Sequence, residues 1–569
     1  MYFKYRVKIP DARGKLVRKT IKDVIYINYE YDRIYNAEKK YNIPKRTTIG
    51  RQCEDDTTMM FPNQNYLKFF PDAELPQQRS NSDRSSCLRI GAYLVIHKII
   101  DNYGLEDICS RIIGRDSGLF LDLAVYSIIA ENNAGQYYPD YAYNHPLFTS
   151  GMRIYSDAKV SDFLNSMMGN QSVGFLNEWN ASRNHRERIY ISYDSTNKNC
   201  QAGDIDIVEF GHAKDDRGKP IFNYSIAYDG SNREPLFYEN YPGSIVDISQ
   251  LQYMLERADG YGYRKVGFIL DRGYFSKENI HYMDKCGYDF VIMVKGMKNL
   301  VNEMILKYKG TFEDKRASAI RGYGVDGITV KERLFPADED ERYFHIYYSG
   351  SKYAAEREAV EAKIERMSKQ LDKLKGRPVK IDPSYEKYFE LIYAHEGEED
   401  EVFLIAREKT DVVDKEISLC GYFVIITSKR MTAGEAIELY KSRDGSEKLF
   451  RGDKSYLGKR SMRVHSDESM DAKIFIEFVA LIIRNKIYSM LKDEMQRSGR
   501  KANYMTVPVA LKELDKIEMV RHLDGIYRLD HAVTAMQRNI LKAFAIDIPY
   551  VKCKAKVISD VLHDSEEEE

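Results

Sequence analysis

The sequence predicts an α/β protein: a mixed five-stranded sheet with flanking helices, interrupted by a β-rich insertion and preceded by a mainly helical N-terminal region. Three observations carry this reading. Helical spacing governs residues 86–185, where Ile90, Tyr93, Leu94, His97 and Ile100 recur on one face, as do Leu121, Leu123, Ala124 and Ile128. From Arg188 the pattern changes to short apolar runs bounded by turn residues. Two of those runs, Ile189–Tyr193 and Val266–Leu270, lead straight into an aspartate, Asp194 and Asp271.

The chain is 569 residues long, which exceeds one ordinary core and implies two or three domains. Its start, Met1-Tyr2-Phe3-Lys4-Tyr5-Arg6, lacks the apolar centre of a signal peptide. The densest apolar stretch, Ile474–Ile483, is about half of what a membrane span needs and reads as a buried helix. The seven cysteines are scattered and contain no CxxC pair, so neither a disulfide framework nor a zinc site is indicated. Together these point to a cytoplasmic protein with reduced thiols and no membrane contact. The net charge of −1 decides nothing about nucleic acid, because charge is unevenly spread. Eight Lys or Arg lie between Lys4 and Lys22, and the tail Asp564–Glu569 is acidic.

Element by element, residues 1–75 form a small basic region of short strand-like runs such as Val24–Ile27. Residues 76–85 read as a linker, and 86–185 as a helical region. Residues 186–309 begin the core. Runs at 189–193, 205–210, 221–228 and 236–238 give a meander, followed by a helix near 246–257, the strand 266–270, a helix near 277–285 and the strand 290–294. That is the element order of a ribonuclease H-like core. Residues 310–430 interrupt it with further strand-like runs and a charged helix, about 354–375. On this helix Val360, Ile364, Met367, Leu371 and Leu374 form a stripe read as a packed face. Residues 431–550 complete the core and add C-terminal helices; 551–569 form the acidic tail.

Metal-assisted phosphodiester chemistry needs carboxylates from different strands converging on one point. Asp194 and Asp271, each placed at the end of its strand on neighbouring strands, meet that need. Oxygen-only ligands of this kind suit Mg²⁺ or Mn²⁺. A third acid lies on a helix that the capping box Thr432-x-x-Glu435 starts. If that helix runs on unbroken, Tyr440, Arg443 and Glu447 fall within about 60° of one another around its axis. Lys454 follows seven residues later, so tyrosine, arginine, glutamate and lysine line up as a phosphate-handling surface requires.

Tyr440-x2-Arg443-x3-Glu447-x6-Lys454 resembles, at full spacing, the signature of insertion-sequence transposases of the insertion-sequence-four type. Asp194-Ser195-Thr196 resembles that family's first Asp-x-Thr motif, and Asp271-Arg272-Gly273-Tyr274 its second. The long stretch from Asp271 to Glu447 is similar to the β-rich insertion the family carries there. His212 in Gly-His-Ala-Lys and His465 in Arg-Val-His resemble the long-chain branch with the sixteen-thirty-four prototype. The resemblance implies a bacterial cut-and-paste DDE transposase in which Asp194, Asp271 and Glu447 are catalytic and bind two Mg²⁺ ions, with Mn²⁺ able to substitute. It implies DNA contacts from Tyr440, Arg443, Lys454 and Arg272, and auxiliary roles for His212 and His465. Its partners would be double-stranded DNA, as terminal inverted repeats and target, and a second copy in a homodimeric synaptic complex at the nucleoid.

Some relatives stack a flipped base on a tryptophan in the insertion, but the only tryptophan here, Trp179, precedes the first aspartate. Tyr343, Phe344, Tyr347 and Tyr348 read as sheet core. Two decoys are set aside. Gly322-x-Gly324-x-x-Gly327 precedes a strand-like run instead of a helix, so it reads as a hairpin loop. Residues 452–459 have one residue too many for a P-loop, so no nucleotide cofactor is expected. Rival readings are a ribonuclease H-like nuclease that cuts without joining, and a catalytically silent DNA-binding descendant.

Overall fold

The computed structural model describes the chain except residues 1, 4, 23, 37–39, 54–55, 72, 74–83, 184–188, 203–204, 212, 214–217, 265, 296, 340, 395–401, 453, 455–456, 458–460, 502–503 and 569, and except the side chains of 247, 248, 446, 447, 451 and 565–568. It divides into two compact units: Met1–Phe175 together with Gly452–Glu569, and Leu176–Arg451.

In the first unit the N-terminal residues form a five-stranded antiparallel sheet where only short strand-like runs were expected. Tyr5, Val7, Ile27, Ile49, Met60 and Tyr66 make its core. Helices then follow from Gly91 to Ser166, in keeping with their apolar spacing. The strand Cys87–Arg89 pairs with Glu518–Arg521, which ties sequence-distant parts of this unit together. Its longest helix, Asp467–Arg497, starts at Ser466, whose side chain accepts from the Ser469 N–H, with Asp467 and Glu468 in the first turn. The apolar run Ile474–Ile483 is buried on this helix, and Phe475 meets Phe120 at 4.6 Å between ring centroids. Within the run, Glu477 is buried and accepts a hydrogen bond from Asn133 Nδ2 at 2.8 Å. Among the described residues no helix is long and apolar enough to cross a membrane. The expected acidic tail continues the helix Ile548–Glu568.

The second unit is built on one mixed sheet. Its elements are β1 (Tyr190–Cys200), β2 (Ile221–Asp229), β3 (Glu234–Pro242), α1 (Asp247–Gly260), β4 (Gly267–Leu270), α2 (Lys277–Cys286), β5 (Asp289–Met293) and α3 (Lys298–Tyr308). There follow β6 (Val325–Arg333), β7 (Glu341–Tyr348), α4 (Gly350–Leu374), β8 (Phe389–Ala394), β9 (Val402–Glu408), α5 (Thr410–Ser418), β10 (Tyr422–Thr427), α6 (Ala433–Lys441) and α7 (Asp444–Gly452). The order across the sheet is β6-β7-β10-β5-β4-β1-β2-β3. β2 runs antiparallel to both β1 and β3, whereas β4 runs parallel to both β1 and β5.

Three differences from the sequence reading have physical reasons. The expected strand at 205–210 is reduced to a single bridge, Glu209 to Ile221, in the run before β2. β1 does not stop at Asp194: its polar continuation Ser195–Asn199 stays paired with β2, so the strand extends to Cys200. The insertion does not stand apart from the core sheet, because β10 pairs antiparallel with β5 and β7 pairs with β10. What does stand apart is a small subcluster. Ile364, Met367 and Leu371 of α4 pack with Phe389 of β8, Phe403 of β9 and Val413 of α5, with Val360 and Leu374 at the margin. The apolar stripe on α4 is therefore a packed face. Tyr347 is fully buried, stacks on Phe423 at 4.9 Å and donates to the Ala433 carbonyl at 2.7 Å. The turn containing Gly322 and Gly324 joins the short strand Ala319–Ile320 to β6, with Gly324 at φ +63°, as a hairpin requires.

Candidate active site

The parallel register of β1 and β4 fixes the first relationship. Tyr190 to Tyr193 face Gly267 to Leu270 in order, so the next residue of each strand, Asp194 and Asp271, lies at the same level. The run Gly267–Leu270 is wholly buried, and Asp271 is the point where it emerges. There β4 gives way to a single 3-10 turn, Arg272–Tyr274, capped by Asp271 in extended conformation. A Cβ at Gly273 would sit 3.7 Å from Asp271 Oδ2, an ordinary contact. Asp194 stays within the longer strand, half-buried, and its Oδ1 accepts from the Ser195 N–H at 2.9 Å.

α6 brings the cation. Thr432 and Glu435 form the expected capping box: the Thr432 Oγ accepts from the Glu435 N–H, and the Glu435 carboxylate accepts from the Thr432 N–H at 2.7 Å. Ala433, Ile437 and Tyr440 seat α6 on Ile269, Val291, Tyr347 and Ile425 of the sheet. This packing delivers the residues after α6 to the end of β4 and to Asp194 within β1. Arg443 Nη1 lies 2.6 Å from Asp271 Oδ1 and 5.3 Å separates its guanidinium carbon from the Tyr440 ring centroid.

Burial alone would push the Asp271 carboxyl upward, but the adjacent Arg443 guanidinium and the Arg272 and Gly273 N–H groups outweigh it. The carboxyl is thus held below the usual range. Burial disfavours the charged guanidinium of Arg443 as well, yet Tyr440, Asp271 and Asp194 together more than offset this and fix its charge. Asp194 is therefore close enough to act on Arg443 electrostatically.

The helix carrying this group is not continuous. α6 ends at Lys441 and α7 begins at Asp444, so the single face expected for Tyr440, Arg443 and Glu447 is broken at Ser442 and Arg443. The cause is local. The Ser442 Oγ donates back to the Leu439 carbonyl at 2.7 Å, and its N–H is shared between Glu438 and Leu439. Gly445 then lets α7 approach β2 closely, since a Cβ there would sit 2.7 Å from Tyr228 Cε1. The sequence reading missed this contact, although a glycine inside a helical pattern is the signal for it.

Asp194, Asp271, Tyr440 and Arg443 are thus brought together in one unit. Glu447 lies on α7, one helical turn or so beyond Arg443, but its side chain is outside the described residues. Arg272 is exposed beside Asp271. Lys454 is half-buried and His465 exposed, both in the other unit, and His212 lies outside the described residues. Among the described residues, His97, Asp101 and Glu106 group closely enough to share an ion. His97 there pairs with Asp101 one turn along the helix and stacks on Phe148, an ordinary helix surface.

Residues 191–483, just over half of the chain, match the transposase DDE domain family. The chain belongs to this family. Among solved structures, the cryo-EM structure of a piggyBac transposase synaptic complex with hairpin DNA matches at 8% identity with a TM-score of 0.30. That match covers 71% of this chain, which spans 63% of the length of the piggyBac chain. No curated protein matches the chain significantly.

Proposed function

We propose that this chain is a metal-dependent cut-and-paste DNA transposase of the insertion-sequence-four superfamily, on its long-chain branch, with a ribonuclease H-like core. The observation that carries the proposal is the in-register pair Asp194 and Asp271, with the Asp271 carboxylate held ionised against Arg443. The order β3-β2-β1-β4-β5, with β2 antiparallel to β1 and β3 and with β4 and β5 parallel to β1, supports the ribonuclease H-like assignment.

Asp194, Asp271 and Glu447 are the residues that would hold two Mg²⁺ ions, or Mn²⁺ in their place. The fit is chemical: the donors are hard carboxylate oxygens, and Asp271 is already held ionised by a positive group. Bound ions of this kind supply an activated hydroxyl nucleophile and stabilise the leaving oxygen. The chain itself positions the DNA. Arg443 presents a planar fork suited to a phosphate while braced on Asp271, and Tyr440 orients it from beneath. Arg272 and Lys454 would add phosphate contacts, with His212 and His465 in auxiliary roles.

The reaction is hydrolysis of one strand at the element's end. The freed 3′-hydroxyl then attacks the opposite strand to release the element's end, and finally joins target DNA. Its partners are the terminal inverted repeats, target DNA and a second copy holding the other end, in the cytoplasm at the nucleoid. The test is a labelled duplex carrying the element's ends, incubated with Mg²⁺ and the wild-type chain, or with Asp271→Ala or Glu447→Ala. Strand-specific nicking followed by a joined product, lost in both variants, is the expected result. Cutting without joining would establish a nuclease instead. End binding without cleavage in Mg²⁺ or Mn²⁺ would leave a DNA-binding descendant.

A further inference from the structure

The N-terminal sheet carries a feature that the active site does not use. Its two longest strands, Val24–Asn36 and Tyr41–Gln52, outrun their neighbours. The strand Leu16–Ile21 pairs only with Val24–Tyr29, and Met59–Pro62 reaches only Gly50–Gln52. From Asp32 opposite Lys45 to Asn36 opposite Tyr41, the two strands pair with each other alone among the described residues. The result is a two-stranded antiparallel ribbon, roughly 17 Å long at the rise of extended chain. Its base is anchored: Tyr29 and Tyr31 lie against Phe69 at 5.5 and 5.2 Å, and Tyr29 meets Phe70 at 5.0 Å.

The surface of this ribbon has a definite chemistry. Tyr35 is 63% exposed, Tyr41 55% and Ile34 47%, so large side chains face solvent on both sides. Arg33, Lys40, Lys45 and Arg46 stand against two described acids, Glu30 and Asp32, within a chain whose overall charge is −1. Glu30 is buried and accepts from Arg33 Nε at 2.6 Å and Arg46 Nη2 at 3.1 Å. One carboxylate thereby orders two guanidiniums whose outer surfaces remain open, which lowers the entropy lost when they meet a ligand. Exposed aromatics beside ordered cations, on a narrow ribbon, match nucleic acid better than a protein groove.

We propose that this ribbon docks in the major groove of duplex DNA. A two-stranded ribbon is one of the elements that the groove of about 12 Å width admits. Lys40, Lys45 and the Arg33–Arg46 pair would meet the flanking phosphates, and Ile34 and Tyr41, which the register places on one face of the ribbon, the base edges. The proposal rests on the reading of this chain as a DNA transposase and adds a contact remote in sequence from Asp194 and Asp271.

The test uses the full chain and a fluorescent mixed-sequence duplex, with anisotropy read over a range of salt. Two variants spare the buried Glu30 network: Lys40→Glu/Lys45→Glu and Ile34→Ser/Tyr41→Ser, each checked for an unchanged melting curve. The expected results are at least tenfold weaker binding for both, and a salt slope smaller by about two for the lysine variant. Methylation of guanine N7, a major-groove atom, should weaken the wild type and leave the variants unaffected. Binding within twofold of wild type with unchanged salt slope overturns the proposal. So does equal competition by single-stranded DNA, or loss of a solution dimer instead of DNA affinity, which would make a second copy the occupant. If such variants still nick DNA in Mg²⁺, the transposase reading survives; if the wild type neither binds nor nicks duplex, both fall.

Discussion

Arg443 and Asp271 form a partly buried ion pair, with Nη1 and Oδ1 2.6 Å apart at the mouth of β4. Two things follow from removing the guanidinium. A fork suited to a phosphate is lost, and the Asp271 carboxyl keeps its burial without its strongest counter-charge. Arg443→Ala is therefore expected to cut strand nicking by about 100-fold or more, the scale of losing one positioned electrostatic donor. The acid limb of the pH profile should also move to higher pH, because the carboxyl that Arg443 holds down would rise. Arg443→Lys keeps the charge but not the fork, and should recover part of the rate and most of the pH shift. Nicking rates across pH for the three proteins check this; an unmoved acid limb in Arg443→Ala would show that the pair does not set the Asp271 charge.

The close approach of α7 to β2 makes a second prediction. A methyl group at Gly445 would lie 2.7 Å from Tyr228 Cε1, nearer than side chains tolerate. Gly445→Ala should destabilise this unit by about 1–3 kcal/mol, the cost of overpacking, in spite of alanine's better helix propensity. Because α7 carries Glu447, nicking should fall more than stability does. Tyr228→Leu removes the ring edge, so the double variant should regain activity relative to Gly445→Ala. Thermal melts and nicking rates of the three variants decide it; a stabilised Gly445→Ala would sink the argument.

Why the sequence revealed some of this and not the rest comes down to the range of the interactions involved. The strand into Asp271 and the capping box before Tyr440 are local patterns, and both stand where residues 266–271 and 432–435 predict them. The meeting of Arg443 with Asp271 was not read from the sequence, since nothing in the 171 intervening positions encodes a contact. The end of β1 was misplaced because Ser195-Thr196-Asn197-Lys198-Asn199 reads as a turn, yet β2 supplies partners for those backbone groups. Likewise the break between α6 and α7 depends on one serine hydroxyl and on a tyrosine from a distant strand. The insertion strands look separable in sequence; pairing of β10 along the edge of β5 makes them part of the same sheet.

The start of α6 yields a smaller effect. Thr432→Ala removes the side-chain acceptor for the Glu435 N–H and should cost about 1 kcal/mol, the usual value of an N-cap. Tyr347→Phe removes the hydrogen bond to the Ala433 carbonyl from the other side and should cost a similar amount. Both changes act on the same helical turn, so their combined effect should depart from the sum. Denaturant midpoints of the two single variants and the double variant would measure that coupling, and simple additivity would show that the cap and the tyrosine act separately.

The last prediction concerns acid. His345 of β7 is fully buried between Thr329 Oγ1, 2.9 Å from Nδ1, and Thr427 Oγ1, 3.0 Å from Nε2. Burial lowers its folded pKa to about 4, against an ordinary value of 6.5. Above pH 6.5 the imidazole is neutral in both states and contributes no pH dependence. Between 6.5 and 4 the unfolded chain takes up a proton that the folded chain does not, so stability falls as pH falls, by about 3 kcal/mol in all. Below pH 4 both states are protonated and this contribution levels off. His345→Gln retains a polar side chain for the threonines and cannot titrate. Its loss of stability between pH 7 and pH 5 should be smaller than wild type's by about 2 kcal/mol, half a dozen degrees or less in melting temperature for a unit of this size. Equal slopes in the two proteins would mean that His345 is protonated in the folded sheet, with one threonine hydroxyl accepting from each ring nitrogen.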